Sequence, residues 1–268
     1  MTTTTTSSPT RGNNGKKNRN TTGETTPDPS ADTTTGTAVD TGGRGRRVNS
    51  GERTPATRFA FGITEVAAPT VLVTALLAVV AQHDARDLGH GVLSGVIAVL
   101  FGTVVPMSFV FFGVRQRRWS DHHVPERSKR MQPMLFGCAS VAVGYVLLRA
   151  TDAPKDIVTV YAAMITEALI LTAITRFWKI SGHVAAAASC ATVVTFVYGP
   201  VLAFTWAAVP VIAWARVQTR KARLAEAHAA GTADDHDELD GHTPAQTVAA
   251  ALVAAAIVTT AYVTIGGL

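Results

Sequence analysis

Charge is what this sequence has least of. Only 16% of its 268 residues are Asp, Glu, Lys or Arg, against about a quarter in a typical soluble domain. That shortage excludes an ordinary water-soluble globule. Cysteine is scarce as well: Cys138 and Cys190 are the two in the chain. Both fall inside apolar runs and read as small buried hydrophobes, which excludes a disulfide framework or a thiolate metal site. Residues 1–55 lack apolar side chains instead. They hold no apolar stretch of the secretory-signal kind, which excludes a cleaved signal peptide there.

The segment 1–55 opens MTTTTTSSPT and ends in GGRGRRVNSGER. It has too little apolar surface to offset the entropy of ordering, so it reads as a disordered, Thr-rich basic tail. Arg44, Arg46, Arg47, Arg53 and Arg58 precede the first apolar run. They suit a solvated flank facing anionic lipid better than a nucleic-acid arm. No nucleic-acid partner is expected.

What the sequence has in abundance is Ala, Val, Leu, Ile and Phe after residue 55. Seven apolar runs lie near 62–82, 91–113, 133–149, 156–175, 183–198, 200–215 and 244–266. About 20 helical residues cross a hydrocarbon core of about 30 Å. The reading is an all-α polytopic membrane bundle of six or seven spans over 56–268. The fifth and sixth runs are short, with the turn signal "YGP" between them, and read as two short crossings or a re-entrant pair. Either way the chain returns to the side it left.

The loops after the second, fourth and sixth runs carry twelve basic residues, from Arg115 to Arg223, and the opposite loops carry Arg86, Arg149 and Lys155. The basic side, which includes the N-terminal tail, is expected to be cytoplasmic. Trp119, Trp178 and Trp214 fall at span ends on that side, as in an interfacial aromatic belt. Glu65 and Glu167 are carboxyls in or near apolar runs, where ionisable groups are commonly functional.

Parity brings three clusters to one membrane face. They are "SDHHVPERSKRMQP" (120–133), "RFWKISGHVAAA" (176–187), and "WARV" (214–217) with "DGHTPAQTVAAA" (240–251). Together they offer the cations Arg127, Arg130, Lys179 and Arg216, and the imidazoles of His183 and His242. Several cations aimed at one point suit a phosphate. Two histidines suit phosphoryl transfer, one as nucleophile and one as general acid. Asp121, His122 and His123 have no further ligand at helical spacing, so no metal is expected.

The arrangement resembles the type 2 phosphatidic acid phosphatase superfamily, relatives of the vanadium haloperoxidases. That family carries Lys followed after six residues by Arg-Pro, then Pro-Ser-Gly-His, then Ser-Arg with a later His and Asp. Here Arg130 matches the first arginine, and His123 stands in the lysine's place. Ser181, Gly182 and His183 match the second motif, with Ile180 for the proline. Arg216 matches the third arginine, with Ala215 for the serine; His242 matches the nucleophile, and Gln246 stands for the aspartate. The resemblance covers about residues 59–268.

It implies a metal-independent, cofactor-free lipid phosphatase acting on a phosphatidic acid or polyprenyl diphosphate type of substrate. His242 would form a phosphohistidine and His183 would protonate the leaving oxygen. Arg130, Arg216, Ser181 and Gly182 would hold the phosphate, with Arg127 nearby and Lys179 compensating for the charge absent at His123. Gln246 would orient the His242 ring without supplying charge. Twenty-five residues separate Arg216 from His242 where the family has five. The polar stretch 217–241 therefore reads as an insertion, a helical extension followed by a solvated loop. Two other readings remain: a non-catalytic protein of the same fold that binds anionic lipid head groups, and a small transporter. The transporter would favour polar residues near the bilayer midplane, whereas here they gather at one face.

Overall fold

Proline positions decide how the apolar runs are cut. The first run is two helices, α1 (Pro55–Val66) and α2 (Pro69–Val80), meeting at a 41° bend. Pro69 has no N–H to continue the ladder, and it pushes Ala68 into extended backbone, at φ −56° and ψ 138°. The second run forms one 28-residue span, Leu88–Arg115. Within it, α3 (Leu88–Val99) passes through a π turn at Leu100–Val104 into α4 (Val105–Arg115). Pro106 removes a ladder donor at that point. The neighbouring helices then supply donors to nearby carbonyls: Tyr161 Oη donates to Ala98 O at 2.5 Å, and Ser140 Oγ to Phe101 O at 2.7 Å.

The computed structural model describes residues 54–116, 131–231 and 239–266. The expected disordered tail, 1–55, lies almost entirely outside them, as do His123, Arg127, Arg130 and Trp119. Every described residue belongs to the unit Val48–Leu268. The chain continues through α5 (Met131–Ala150), α6 (Lys155–Phe177) and α7 (Gly182–Tyr198). A 3-10 stretch at Pro200–Ala207 leads into α8 (Ala208–Ala230), and α9 (Pro244–Ala261) ends in a π turn at Tyr262–Gly266. No strand occurs among the described residues. Among the described residues five helical stretches are long and apolar enough to cross a membrane, and the bent α1–α2 pair, taken as one broken span, would make six.

The "YGP" ambiguity resolves unequally. Gly199 takes φ +97°, and the sixth apolar stretch, Pro200–Ala229, runs for 30 residues. It is long enough to cross the membrane and continues as a polar extension. The fifth, α7, has only 17 residues, a rise of about 25 Å. It needs little contact with lipid because it is central: His183 to Ala188 and Ala191 to Val193 are buried.

Helix α7 packs most extensively on α9. Both are alanine-rich along the contact, and small side chains let helix axes approach closely in a membrane, where lipid tails compete with larger ones. Val184, Ala185, Ala188, Ala250 and Ala254 form the centre of one buried cluster. A second cluster, around Leu77, Leu148, Tyr161, Val193 and Val258, fills the other end of the bundle. There Phe196 stacks on Tyr262 with ring centroids 5.1 Å apart. Large apolar side chains such as Phe112, Val146, Leu147 and Leu252 face outward, as a lipid solvent permits.

Helices α5 and α6 touch at Gly144. A Cβ there would lie 2.6 Å from Tyr161 Cε1 and 2.7 Å from Phe101 Cβ. Gly144→Ala is expected to destabilise the bundle by about 1–3 kcal/mol, read as a lower midpoint of thermal unfolding in detergent. Gly137→Ala, on the same helix with nothing within 4 Å of the added carbon, should leave the midpoint nearly unchanged.

Candidate functional site

A cavity of about 760 Å³ opens at the end of the bundle where α7 and α9 begin. Its polar lining includes His183, Arg216, Asp240 and His242, with Gly182 and Glu65. Four of the residues singled out in the sequence for phosphate chemistry, Gly182, His183, Arg216 and His242, therefore meet in one space, although 59 positions separate His183 from His242. The facing wall, from α2, α4 and the start of α5, is largely apolar, with Val71, Met107, Phe111 and Met134.

Each side chain has a local reason to be there. Ser181 is the N-cap of α7 and accepts from Val184 N at 3.5 Å. Gly182 and His183 are thus in the first turn of a helix, where N–H groups have no intrahelical partner and the dipole favours anions. Helix α9 starts in the same manner. Thr243 caps it, Pro244 takes the first helical position, and Gln246 completes a capping box.

Gln246 is occupied by that box. Its Oε1 accepts from Thr243 N at 2.9 Å, and its own N–H donates to Thr243 Oγ1 at 3.3 Å. The carboxamide oxygen thus fixes the start of α9 directly after His242, and that is the contact the structure gives it. Lys179 is also committed. It is buried, and its Nζ donates to the carbonyl of Leu239. It binds the loop after α6 to the returning end of the 217–241 segment.

Arg216 is the most enclosed cation of the site, at 2% exposure. Its Nη2 donates to Asp240 Oδ1 at 2.5 Å, and Gly241 N donates to the same oxygen at 2.7 Å. The guanidinium Nε and Nη1 find no hydrogen-bond partner among the described residues. A buried donor left unmatched costs about 1–3 kcal/mol, so an anion reaching this edge would be strongly favoured.

Asp240 was not singled out in the sequence, and a signal for it existed. An arginine buried at the end of an apolar span requires a carboxylate partner. The loop carrying His242 offers several, and Asp240 is the nearest, two residues before it.

Of the polar stretch 217–241 the helical part is seen, and residues 232–238 of the expected solvated loop lie outside the described residues. Helix α8 continues to Ala230 and stops at Gly231, whose φ of +67° suits a helix C-cap. The return segment is laid directly on α8. His242 N donates to Arg216 O at 3.2 Å, so the 25 intervening residues close on themselves. Helix α1 braces the extension: Phe59 meets Trp214 with centroids 6.5 Å apart, and Arg223 lies 5.3 Å over the Phe61 ring. Trp178 and Trp214 are partly exposed at this end of the bundle.

Among the described residues one group has metal-ligand chemistry: His83, Asp84 and Asp156, with ligand atoms within 4.8 Å of one another. It is not part of this cavity. His83 Nδ1 and Asp156 Oδ2 are 2.7 Å apart, and a hydrogen bond between helix ends accounts for that proximity.

Gly241 allows the loop to lie so close. Its φ is +92°, and a Cβ would fall 2.4 Å from Arg220 N and 2.7 Å from Arg216 O. Gly241→Ala is expected to cost about 2–4 kcal/mol, from the left-handed backbone and the clash together. It should lower the thermal midpoint in detergent and increase proteolysis within 217–241. None of the protein-family models, curated proteins or solved structures compared with the chain matches it.

Proposed function

We propose that the protein is an integral membrane phosphatase that hydrolyses a phosphomonoester or diphosphate of a lipid. The observation that carries this reading is the shared cavity of His183, Arg216 and His242 at the starts of two helices. The phosphate would sit against the Nε and Nη1 side of the Arg216 guanidinium and the first turn of α7. Asp240 would hold that guanidinium in place from its other side. The apolar wall of α2 and α4 suits the lipid portion of the substrate.

In the first step a nitrogen of His242 attacks phosphorus. The bond from phosphorus to the lipid oxygen breaks, and His183 gives that oxygen its proton. In the second step His183 takes a proton from water as it attacks the phosphohistidine, and phosphate leaves with His242 restored. Donors aimed at the developing oxyanion commonly contribute about 3 kcal/mol each.

A second reading is a protein of this architecture that binds anionic lipid head groups without turnover. It is favoured by the contacts of Gln246 and Asp240. The oxygen of the first is tied into the α9 capping box and one oxygen of the second into an ion pair, so both side chains serve contacts that hold the architecture.

Purified protein in detergent with EDTA should release phosphate from phosphatidic acid or a polyprenyl diphosphate. His242→Ala should reduce this by at least about a thousandfold. Equal turnover by the variant would remove His242 as nucleophile, and tight lipid-phosphate binding without turnover by the wild type would favour the second reading.

The site would face the cytoplasm, with the twelve basic loop residues. With Cys138 and Cys190 replaced, a single cysteine at Ala229→Cys, an exposed position of α8, should resist an impermeant thiol reagent in intact cells and react after lysis.

A further inference from the structure

Deeper in the bundle is a second cavity, of about 260 Å³. It borders the first at Met134, Leu171 and Gly182, which line both. Its wall is mostly hydrocarbon, contributed by residues such as Val73, Leu76, Val141 and Val193. One carboxyl interrupts it. Glu167 stands near the middle of α6, so it lies at mid-depth of a spanning helix. Ser189 of α7 donates to Glu167 Oε2 at 2.6 Å. That is the carboxyl's one hydrogen bond among the described residues, and Oε1 has none.

A second polar side chain lines the same space. Thr172 is more than nine-tenths buried and lines the cavity, yet its Oγ1 finds no nitrogen or oxygen partner among the described residues. The weak thiol of Cys138 is beside it. No Lys, Arg or His is among the lining residues described. A carboxylate in hydrocarbon is costly unless a cation meets it. An ionisable group held at this depth marks a functional site, with an implied partner. A neutral carboxyl would avoid that cost, and an ammonium with an apolar body would both offset it and match the rest of the wall.

We propose that this cavity is a second binding site, which takes a small lipophilic amine. The ammonium lies against Glu167 Oε1, and the hydrocarbon lies along Val73, Leu76 and Val193. The volume corresponds to roughly nine water-sized groups, the size of octylamine. The competing occupant is a neutral alkyl chain entering past Met134 and Leu171, which would have no use for the carboxyl. This site does not depend on the phosphatase reading, since it shares none of His183, Arg216 or His242.

The chain carries its own reporters, because both of its cysteines, Cys138 and Cys190, line this cavity. Full-length protein in detergent is alkylated with N-ethylmaleimide near neutral pH and followed by intact mass. Saturating octylamine should slow alkylation about tenfold, and octanol at the same concentration should slow it less than about twofold. Glu167→Gln keeps the side chain's size and an acceptor for Ser189, and should reduce the octylamine effect to that of octanol. A readout that needs no reactive thiol runs in parallel: octylamine, not octanol, should raise the thermal midpoint of the wild type and not of Glu167→Gln. Equal effects of the two probes, an octylamine effect that survives Glu167→Gln, or no effect in either readout would overturn the proposal.

Discussion

A buried guanidinium needs a carboxylate, and the arrangement of the cavity follows from that need. Arg216 is nearly inaccessible to solvent at the point where α8 leaves the apolar bundle. Leaving it without a counter-charge would cost several kcal/mol. The carboxylate comes from Asp240, beyond a long polar excursion, and meeting it brings the loop down onto α8. Gly241 lets the two backbones touch, and His242 N reaches Arg216 O. The position of the second imidazole is therefore a consequence of an ion pair and a hydrogen bond, not of the sequence distance between motifs.

The other half of the site depends on packing. Helix α7 is short, central and lined by alanines, and its close approach to α9 keeps the two helix starts side by side. Their caps are made by Ser181 and Thr243, each of which accepts from a backbone N–H of its own first turn. Two positive helix ends and a guanidinium then face one space with no acidic lining residue described other than Asp240 and Glu65. The local field favours an anion. Deeper in the same bundle the sign is reversed: Glu167 has no basic residue among the described wall of its cavity. The two spaces adjoin at Gly182 and differ in the charge they invite.

Much of this was legible along the chain. Charge scarcity and seven apolar runs led to a helical membrane bundle, and counting crossings led to a common face for His183, Arg216 and His242. The cap residues before "GH" and "PAQ" were legible because they depend on neighbours within four positions. Other features were read differently from the sequence. Pro69 bends the first run, and the "YGP" turn joins a short buried helix to a long crossing one. Gln246 was expected at the His242 ring, and its oxygen instead faces the Thr243 backbone, because an N3 glutamine reaches its own helix start first. Lys179 was expected at the phosphate, and its ammonium meets the Leu239 carbonyl. The buried arginine's need for a carboxylate was legible, but not which of the insertion's acidic residues meets it.

The sequence by itself determined that the chain is helical and built of membrane-spanning segments, roughly where most of them fall, and that His183 and His242 share one end of the bundle. Those properties follow from hydrophobicity summed along contiguous residues and from parity, and neither requires knowing what touches what. Only the tertiary structure decided which carboxylate holds Arg216, which polar side chains are already occupied, and that Glu167 shares a cavity with both cysteines. Such pairings depend on the depth and rotation of helices relative to one another, and a fraction of a helical turn redirects a side chain from one partner to another.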